Sequence, residues 1–358
     1  MASTDTHARA GTRTSARKVS SRRHDARGRR PAAQRRDVYQ DVTDRIIEQL
    51  KAGTVPWVRP WDAAKGTPVA GSLGLPTNLS TGNAYSGVNI LLLWIAVAEA
   101  GYASQAWMTY RQAQALGGQV RRGEASTGIV RADTFVPKGE RQAAASENRE
   151  ADRIPFLKVY RVFNVEQIDG LPDDLVAAPP PPDLSNVDGD VRSILERLGT
   201  KLVIGTDRAC YIPAVDTIQL PSPEAFHDPI DWNRTALHES GHATGAKHRL
   251  DRDLSGWFGG EDYAKEELVA EMTAAFCCAR LGIEPTVRHA DYIGAWLEKL
   301  RNDKRCVVQS ASAASRAADL LLGLLSDDGG SGDGGALSEH GSVADEDAGV
   351  VSPSAVPA

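Results

Sequence analysis

The segment HESGH at residues 238–242 constrains the fold most strongly, because it places two histidines four residues apart around a glutamate. Residues at i and i+4 share one face of an α-helix. His238 and His242 can therefore bind one Zn²⁺ ion through ring nitrogens about 2.0–2.1 Å away. Glu239 lies beside that face, where it could take a proton from a water molecule that the ion activates. The motif predicts a helical metal site suited to hydrolysis.

The residues around the motif favour a helix with a close neighbour. Asp228 and Pro229 are typical of a helix start, and Gly245 is typical of the residue after a helix end. Gly241 lies inside the predicted helix, where glycine costs up to ~1 kcal/mol relative to alanine. That cost is explained if another element approaches closely there. Without such features, a motif of this kind can also occur by chance on an exposed helix.

A candidate third ligand follows in the segment YAKEELVAEMTAAFCCARLG. Glu267 and Glu271 are four apart on this predicted amphipathic helix, and two buried carboxylates without a cation would be costly. We assign Glu267 as the ligand and Glu271 as the residue that orients a histidine. The reverse assignment stays open on this reasoning, and Glu266 is expected to be exposed. Three protein ligands leave one position open, which is typical of a catalytic zinc site.

Composition limits the classes of protein that this chain can be. Of 358 residues, 41% are hydrophobic and 25% are charged, which is typical of a globular protein. Residues 1–36 carry eleven Arg or Lys, and the last 33 residues carry seven Asp or Glu and no Arg or Lys. The four cysteines lack CxxC spacing, so we expect reduced thiols and a cytoplasmic location. The longest apolar run is far short of the ~20 residues that a membrane span needs.

The order of patterns predicts an α+β fold with two domains and disordered termini. Four prolines, Pro179 to Pro182, favour an extended spacer between the domains. The stretch from Lys138 to Arg153 is polar and is predicted to be a loop or insertion. The predicted divisions are a disordered basic arm (1–36), a DNA-binding domain (37–172), a proline-rich linker (173–186), a metallopeptidase domain (187–325) and a disordered acidic tail (326–358).

Aromatic and basic residues alternate in the amino-terminal half. Single-stranded DNA binding needs flat side chains on which bases stack and cations along the phosphates. For any one of these aromatic residues, packing in the core is the competing explanation, and Trp94 is expected to be core. Residues with amide side chains could bond to sugar or phosphate. The candidate DNA-binding residues are Trp57, Arg59, Trp61, Asn78, Tyr85, Asn89, Trp107, Arg121 and Arg122.

The chain resembles the ArdC-type antirestriction proteins over about residues 37–300. The segments HESGHATGAKHRLDR and YAKEELVAEM resemble that family's carboxy-terminal zincin-type metallopeptidase domain, in which Thr-Gly and Arg-Leu-x-Arg follow the motif helix. The resemblance implies that Glu267 binds the metal, as in the gluzincin arrangement. The segment CYIPAVDTIQLP also matches, and by analogy with zincins it supplies the strand beside the substrate.

The amino-terminal half resembles the single-stranded-DNA-binding domain of the same family. The shared segments are GTVPWVRPW, PTNLSTGNAYSGVNILLLW, WMTYRQAQALGGQVRRGE and KVYRVFNVEQIDGLP. The basic arm, the polar stretch at 138–153 and the acidic tail depart from the family's pattern.

The resemblance implies an antirestriction protein that binds single-stranded DNA and protects incoming plasmid or phage DNA from host restriction. Its metallopeptidase domain would use Zn²⁺, or another divalent ion such as Mn²⁺, and would act on a protein substrate; no membrane partner is expected. The alternatives are a regulatory metalloprotease that cleaves a repressor or host protein, a non-catalytic DNA-binding protein with structural zinc, and a nuclease. Glu239 argues against a structural site, because such a site has no use for a base.

Overall fold

The computed structural model describes residues 37–58, 74–176, 183–254, 261–285 and 293–326. The fold is α+β, as predicted from the sequence. The predicted basic arm, the prolines of the linker and nearly all of the acidic tail lie outside these residues. Within the described part of the chain, no helix combines the length and apolar character needed to cross a bilayer. All four cysteines are free thiols.

The amino-terminal half contains two small sheets and five helices among the described residues. The larger sheet has the order β1-β2-β5-β4, with β1 parallel to β2 and the other pairs antiparallel. Strands β3 and β6 form an antiparallel pair. The elements in chain order are α1 (Val38–Lys51), β1 (Thr77–Asn78), α2 (Val88–Ala100), β2 (Ala106–Met108), α3 (Tyr110–Ala115), β3 (Gln119–Val120), β4 (Thr127–Phe135), α4 (Lys138–Glu147), β5 (Ile154–Asn164), β6 (Ile168–Asp169) and α5 (Asp173–Val176).

The carboxy-terminal half places a three-stranded sheet beside a group of helices. The sheet order is β7-β9-β8, with β7 parallel and β8 antiparallel to β9. Helix α8 packs against both α7 and α10. The elements are α6 (Val187–Arg197), β7 (Lys201–Ile204), β8 (Cys210–Ile212), β9 (Thr217–Leu220), α7 (Pro229–Ala243), α8 (Glu261–Arg280), α9 (Ile293–Asn302) and α10 (Cys306–Gly323).

Both halves of the chain contribute to the main hydrophobic core. Helix α2 is apolar on nearly all sides, and Trp94 is buried in it, as predicted. Its ring packs edge-to-face against Phe276 of α8, with centroids 5.8 Å apart. Helices α1 and α9 also pack together. The contact between Trp94 and Phe276 holds α8, which carries Glu267, against the amino-terminal half.

The polar stretch after Pro137 is helical, so the prediction of a loop over residues 138–153 is wrong for its first ten residues. Helix α4 covers Lys138–Glu147 and ends at Asn148, whose left-handed φ of 50° suits an asparagine. Arg149 folds back to pair with Glu140 and Glu147. The run of alanines at 143–145 supplies helix propensity that a pattern search for apolar periodicity does not detect.

Candidate metal centre

Helix α7 carries both histidines in the predicted helical setting. Its first turn is capped by Asp228, whose side chain accepts a hydrogen bond from the backbone N–H of Ile230 at 3.0 Å, and Pro229 follows. The helix ends at Ala243, two residues before Gly245. One turn separates His238 from His242, and their rings lie edge-to-face with centroids 4.9 Å apart. The helix therefore presents two imidazoles to the same side.

Gly241 allows helix α8 to approach this face. A Cβ atom at Gly241 would lie 3.3 Å from the Cα of Ala270 and 3.3 Å from the Cβ of Thr273. These distances are tight contacts with a backbone atom and a β-branched side chain. The close approach predicted from the glycine is therefore present, and it brings Glu267 opposite the histidines.

The structure brings together His238, His242 and Glu267. A ring nitrogen of each histidine and a carboxylate oxygen of Glu267 all lie within 4.8 Å of one another. The two carboxylate oxygens of Glu267 lie 3.5 Å from the Nε2 atoms of His238 and His242 respectively. Ligands bound tetrahedrally at ~2.0–2.1 Å from zinc are separated by roughly 3.4 Å. The two nitrogens and one carboxylate therefore fit a divalent cation in both spacing and chemistry.

Two further carboxylates face the other nitrogens of the imidazoles. Oε1 of Glu271 lies 3.8 Å from Nδ1 of His238, and Oε1 of Glu266 lies 3.3 Å from Nδ1 of His242. A carboxylate behind a metal-binding histidine orients its ring and fixes its tautomer. The role of Glu271 in orienting His238 stays a prediction, because 3.8 Å is longer than a hydrogen bond. The expectation that Glu266 is exposed is wrong, because only 12% of its side chain is accessible.

Arg252 holds Glu266 in place. Its guanidinium donates to the two carboxylate oxygens at 2.7 and 3.0 Å, to Oγ1 of Thr244 at 2.8 Å and to the carbonyl of Gly241 at 2.8 Å. A Cβ atom at Gly245 would lie 2.9 Å from this guanidinium. Cδ2 of Leu254 would be closer still, at 2.8 Å, so a side chain at position 245 would displace both neighbours. Through its bonds to Thr244 and Glu266, Arg252 joins the end of α7 to α8.

The electrostatics of the cluster favour ionised carboxylates. Burial by itself would lower the pKa of His242, but hydrogen bonds with Glu266 and Glu267 outweigh burial and raise this pKa to about 10. The pKa of Glu267 lies well below its ordinary range, because its bonds to both histidines overcome the opposing effect of burial. Bonds from His242 and Arg252 lower the pKa of Glu266 in the same way, also against burial. A site of buried, ionised carboxylates suits a cation.

Glu239 lies on α7, which packs against β8 and β9 of the three-stranded sheet. It is 6% exposed. Burial raises the pKa of the Cys210 thiol on β8, and the charge of Glu239 raises it further, so the two side chains are close enough to interact. Strand β8 pairs with β9 on one side and has no strand partner on its other side among the described residues. An open strand edge beside the glutamate could pair with an extended peptide.

The residues after the motif brace the helix end instead of joining the metal cluster. Asp216 accepts hydrogen bonds from the Tyr211 hydroxyl at 2.9 Å and from Arg249 at 2.9 and 3.0 Å. Arg249 also donates to the carbonyl of Ala243 at the end of α7. Nε2 of His248 lies 3.4 Å from Oδ2 of Asp216.

The prediction that Trp57 and Trp107 stack on DNA bases is wrong. Trp57 and Trp107 are both fully buried, so neither offers a face to a base. Trp57 packs edge-to-face against Trp296 of α9 with centroids 5.3 Å apart. Trp107 packs against Tyr102 at 5.9 Å. Both rings therefore stabilise the fold. The other two predicted residues of this loop, Arg59 and Trp61, lie outside the described residues.

The two predicted asparagines also make internal contacts. Oδ1 of Asn78 accepts from the backbone N–H groups of Ser80 and Thr81, which forms a turn. Asn89 both donates to the carbonyl of Val130 and accepts from its N–H, each at 2.8 Å, and so fastens α2 to β4. The prediction that these amides bind sugar or phosphate is therefore not supported, because their hydrogen bonds are used inside the protein.

Three predicted DNA-binding residues lie at least partly at the surface. Tyr85 is half-buried, and Arg121 and Arg122 are exposed. Arg121 is engaged in ion pairs with Glu124 at 2.8 Å and Asp169 at 3.3 Å. A role in DNA binding remains a prediction for these three residues.

The chain matches the models of two protein families. Residues 36–163 match the N-terminal domain of the anti-restriction factor ArdC, and residues 189–313 match a zincin-like metallopeptidase. The second match contains the metal cluster. Together the two matches cover most of the described residues.

Several known proteins are similar over long stretches. The protein y4eC of Sinorhizobium fredii is 38% identical over 81% of this chain and 93% of its own length. The DNA primase TraC of Escherichia coli is 38% identical over 79% of this chain, which spans 27% of that protein. Crystal structures of the antirestriction protein ArdC from plasmid R388, metal-free and Mn(II)-bound, are 37% identical with a TM-score of 0.66. Each match covers 82% of this chain. It covers 99% of the metal-free structure and 100% of the Mn(II)-bound structure.

Proposed function

Because the chain belongs to the family of ArdC antirestriction proteins, we propose that it is a metal-dependent peptidase whose amino-terminal half binds single-stranded DNA. Its role would be to protect incoming plasmid or phage DNA from restriction in the cytoplasm. The convergence of His238, His242 and Glu267, with Glu239 on the same helix as the histidines, carries the enzymatic part of the proposal.

The three ligands fit a divalent ion such as Zn²⁺ or Mn²⁺. A related ArdC protein has been crystallised with Mn(II), which supports the same choice here. Nitrogen and carboxylate donors suit either ion, since imidazole suits zinc and carboxylate suits manganese. When bound, the ion would supply Lewis acidity that polarises a carbonyl and makes water more acidic. Glu271 and Glu266 would hold the histidine rings with Nε2 directed to the ion.

Glu239 would act as the base that accepts a proton from the attacking water and passes it to the leaving amine. Its side chain is 6% exposed and lies near β8, so the reaction would occur in a site largely shielded from solvent. An extended peptide could pair with the open edge of β8 and so lie across the site. Tyr211 and Asp216, which are bonded to each other, would stiffen that strand end.

Support for the DNA-binding part comes from the relatives. The matching family model is the N-terminal domain of an anti-restriction factor, and TraC is a DNA primase. A regulatory metalloprotease is the second candidate, because the metal centre alone does not specify a substrate. In that case the DNA contacts would only bring the protease to its target. A protein with purely structural metal fits less well, because Glu239 would then have no role beside the cluster.

The substitution Glu239→Gln tests the proposal because it removes the base and leaves the ligands in place. We expect Glu239→Gln to keep the metal and the affinity for single-stranded DNA while proteolysis falls by at least ~10²-fold. Protection of DNA would be measured in parallel by conjugation into a restricting host. Glu298→Gln, on the exposed side of α9, is the matched control and should leave all three readouts unchanged.

The outcomes separate the candidates. If protection survives Glu239→Gln, protection belongs to the DNA-binding half alone. If proteolysis survives, Glu239 is not the base and the proposed mechanism is wrong. If the wild-type chain does not bind single-stranded DNA, the DNA-binding part of the proposal fails whatever the peptidase does.

A further inference from the structure

Strands β4 and β5 form a long hairpin whose pairing sorts its side chains onto two faces. Residues directly opposite in an antiparallel pair project from the same face. Arg131 is opposite Lys158, Ile129 is opposite Tyr160, and Phe135 is opposite Ile154 at the open end of the pair. We call the outer part of this side the hairpin face; it carries Arg131, Asp133, Phe135, Phe156, Lys158 and Tyr160.

The other side of the hairpin is anchored to the body of the protein at two buried residues and is exposed at others, including Val159. Val130 and Leu157 belong to that side, are 8% and 9% exposed, and lie in the main core. Asn89 of α2 bonds to both backbone groups of Val130. The inner end of the hairpin face is covered at Val162, which is fully buried. The accessible part of the hairpin face therefore extends from Tyr160 toward the open end of the hairpin.

Aromatic rings and cations are interleaved along the hairpin face. Nζ of Lys158 lies 5.3 Å from the centroid of the Tyr160 ring. Phe135 and Phe156 pack edge-to-face with centroids 5.7 Å apart, and Phe135 remains 47% exposed. Arg131 is exposed. A large apolar ring held at the surface beside cations does not serve the core, so a binding role explains it better than folding does.

We infer that the hairpin face is the surface on which the amino-terminal half binds single-stranded DNA. This inference rests on the proposed function and supplies the residues for it. Bases of a single strand would stack on Phe135, Phe156 and Tyr160, and phosphates would lie near Arg131 and Lys158. Rings on the surface of a sheet serve this purpose because unstacked bases expose their flat faces, whereas bases within a duplex are stacked on one another.

Charge supports an anionic partner at this place. The formal net charge of −6 is a sum over the whole chain, and eleven Arg or Lys lie in residues 1–36, so the charge of the hairpin face is considered by itself. The hairpin face carries two cations, Arg131 and Lys158, and one acid, Asp133, so its formal charge is +1. The Asp133 carboxylate accepts the backbone N–H of Thr134 at 2.7 Å. In contrast, Arg121, one of the three cations predicted from the sequence, already pairs with two acids.

The inference is tested by the binding of a fluorescein-labelled oligothymidylate to the full-length protein, measured by anisotropy over a range of salt concentrations. A strand of about 20 nucleotides exceeds the ~4–16 nucleotides that one such site covers. We expect Tyr160→Ala and Phe135→Ala each to raise Kd about tenfold, because each removes one stacking partner. Phe135 is about half exposed, so its replacement should leave folding intact even if Tyr160→Ala lowers stability.

The double variant Arg131→Gln/Lys158→Gln tests the phosphate contacts. We expect the slope of log K against log salt to become shallower by about 1.4, because each cation contributes about 0.7 on a single strand. The matched control is Lys51→Gln/Arg301→Gln, which removes two exposed cations on α1 and α9 and should leave the slope unchanged. Thermal unfolding and metal content check that each variant is folded.

Each result has a definite meaning. Loss of affinity in the hairpin variants but not in the control supports the inference. If the wild type binds the strand and the hairpin variants bind equally well, the inference is wrong while the proposed DNA binding stands. Equal wild-type affinity for a duplex of the same length would also overturn it, since stacking requires unpaired bases. If the wild type binds no strand at all, the proposed function fails first.

Discussion

Gly241 of α7 lies directly against Ala270 of α8, so that a Cβ atom on Gly241 would come within 3.3 Å of the Cα atom of Ala270. We predict that Gly241→Ala lowers the free energy of unfolding by about 1 kcal/mol. Overpacking costs ~1–3 kcal/mol, which exceeds the gain of up to ~1 kcal/mol in helix propensity. The metal affinity should fall too, because the helix that carries Glu267 is pushed outward.

Urea unfolding and metal titration check this prediction. Gly294→Ala on α9 is the control, because a Cβ atom there meets nothing within 4 Å and the change should be neutral or stabilising. A Gly241→Ala variant that is as stable as wild type, and binds metal as tightly, would show that the close helix approach does not matter.

The second prediction concerns the carboxylate behind His242. Glu266→Gln weakens both the bond to Nδ1 of His242 and the ion pair with Arg252. Loss of such an outer contact typically costs about 10–100-fold in metal affinity, and we expect a loss in this range. Competition with a fluorescent chelator measures it, with Glu298→Gln as control. Unchanged affinity would mean that the ring of His242 is oriented without Glu266.

The third prediction follows from the bonds of Asp216. Its pKa is lowered by hydrogen bonds from Arg249 first and Tyr211 next, against the effect of burial. A lowered folded-state pKa means stabilisation that is fully present above the ordinary pKa of 3.8 and is lost as the pH falls through the folded-state value. Asp216→Asn should therefore cost about 1 kcal/mol at pH 7, because solvent screens this partly exposed carboxylate, and this difference should shrink in strongly acidic solution.

Urea unfolding at several pH values measures that difference. Asparagine tolerates the left-handed φ of 44° at this position, so backbone strain does not confuse the result. A cost that stays constant down to pH 3 would show that the carboxylate charge is not what stabilises this corner.

The fourth prediction concerns Trp57, which the sequence assigned to DNA and the structure places in the core. We expect Trp57→Ala to destabilise the protein by about 3–5 kcal/mol, because it leaves a cavity beside Trp296. Any loss of DNA binding should follow the loss of folded protein, measured by thermal unfolding of the same samples. A fully stable Trp57→Ala variant that no longer binds DNA would instead restore a direct role for this ring.

The metal cluster could be predicted in outline because its elements are local. The spacing of His238 and His242, and of Glu267 and Glu271, fixes which residues share a helix face. Glu266 could not be assigned in this way, because its position depends on how α8 crosses the end of α7. The available signal for Glu266 was Arg252. This arginine follows the motif helix closely, and the structure shows that it is buried and paired with Glu266.

The DNA-binding residues were harder to predict because the same residue types pack in cores and stack on bases. Trp57 and Trp107 are flanked by polar or proline-containing segments, yet each meets an aromatic partner supplied by the fold. The hairpin face was missed because its residues come from two strands separated by α4. Only the register of β4 against β5 brings Arg131 beside Lys158.

The most direct measurement is the number of metal ions held per chain, found by elemental analysis after reloading with Zn²⁺ or Mn²⁺. Wild type should hold about one ion, and Glu267→Ala should hold almost none, because three ligands are the minimum of a catalytic site. Glu271→Gln should still bind an ion, about 10–100-fold more weakly. Wild-type protein that holds no ion after reloading, or Glu267→Ala that holds one as tightly as wild type, would contradict the account.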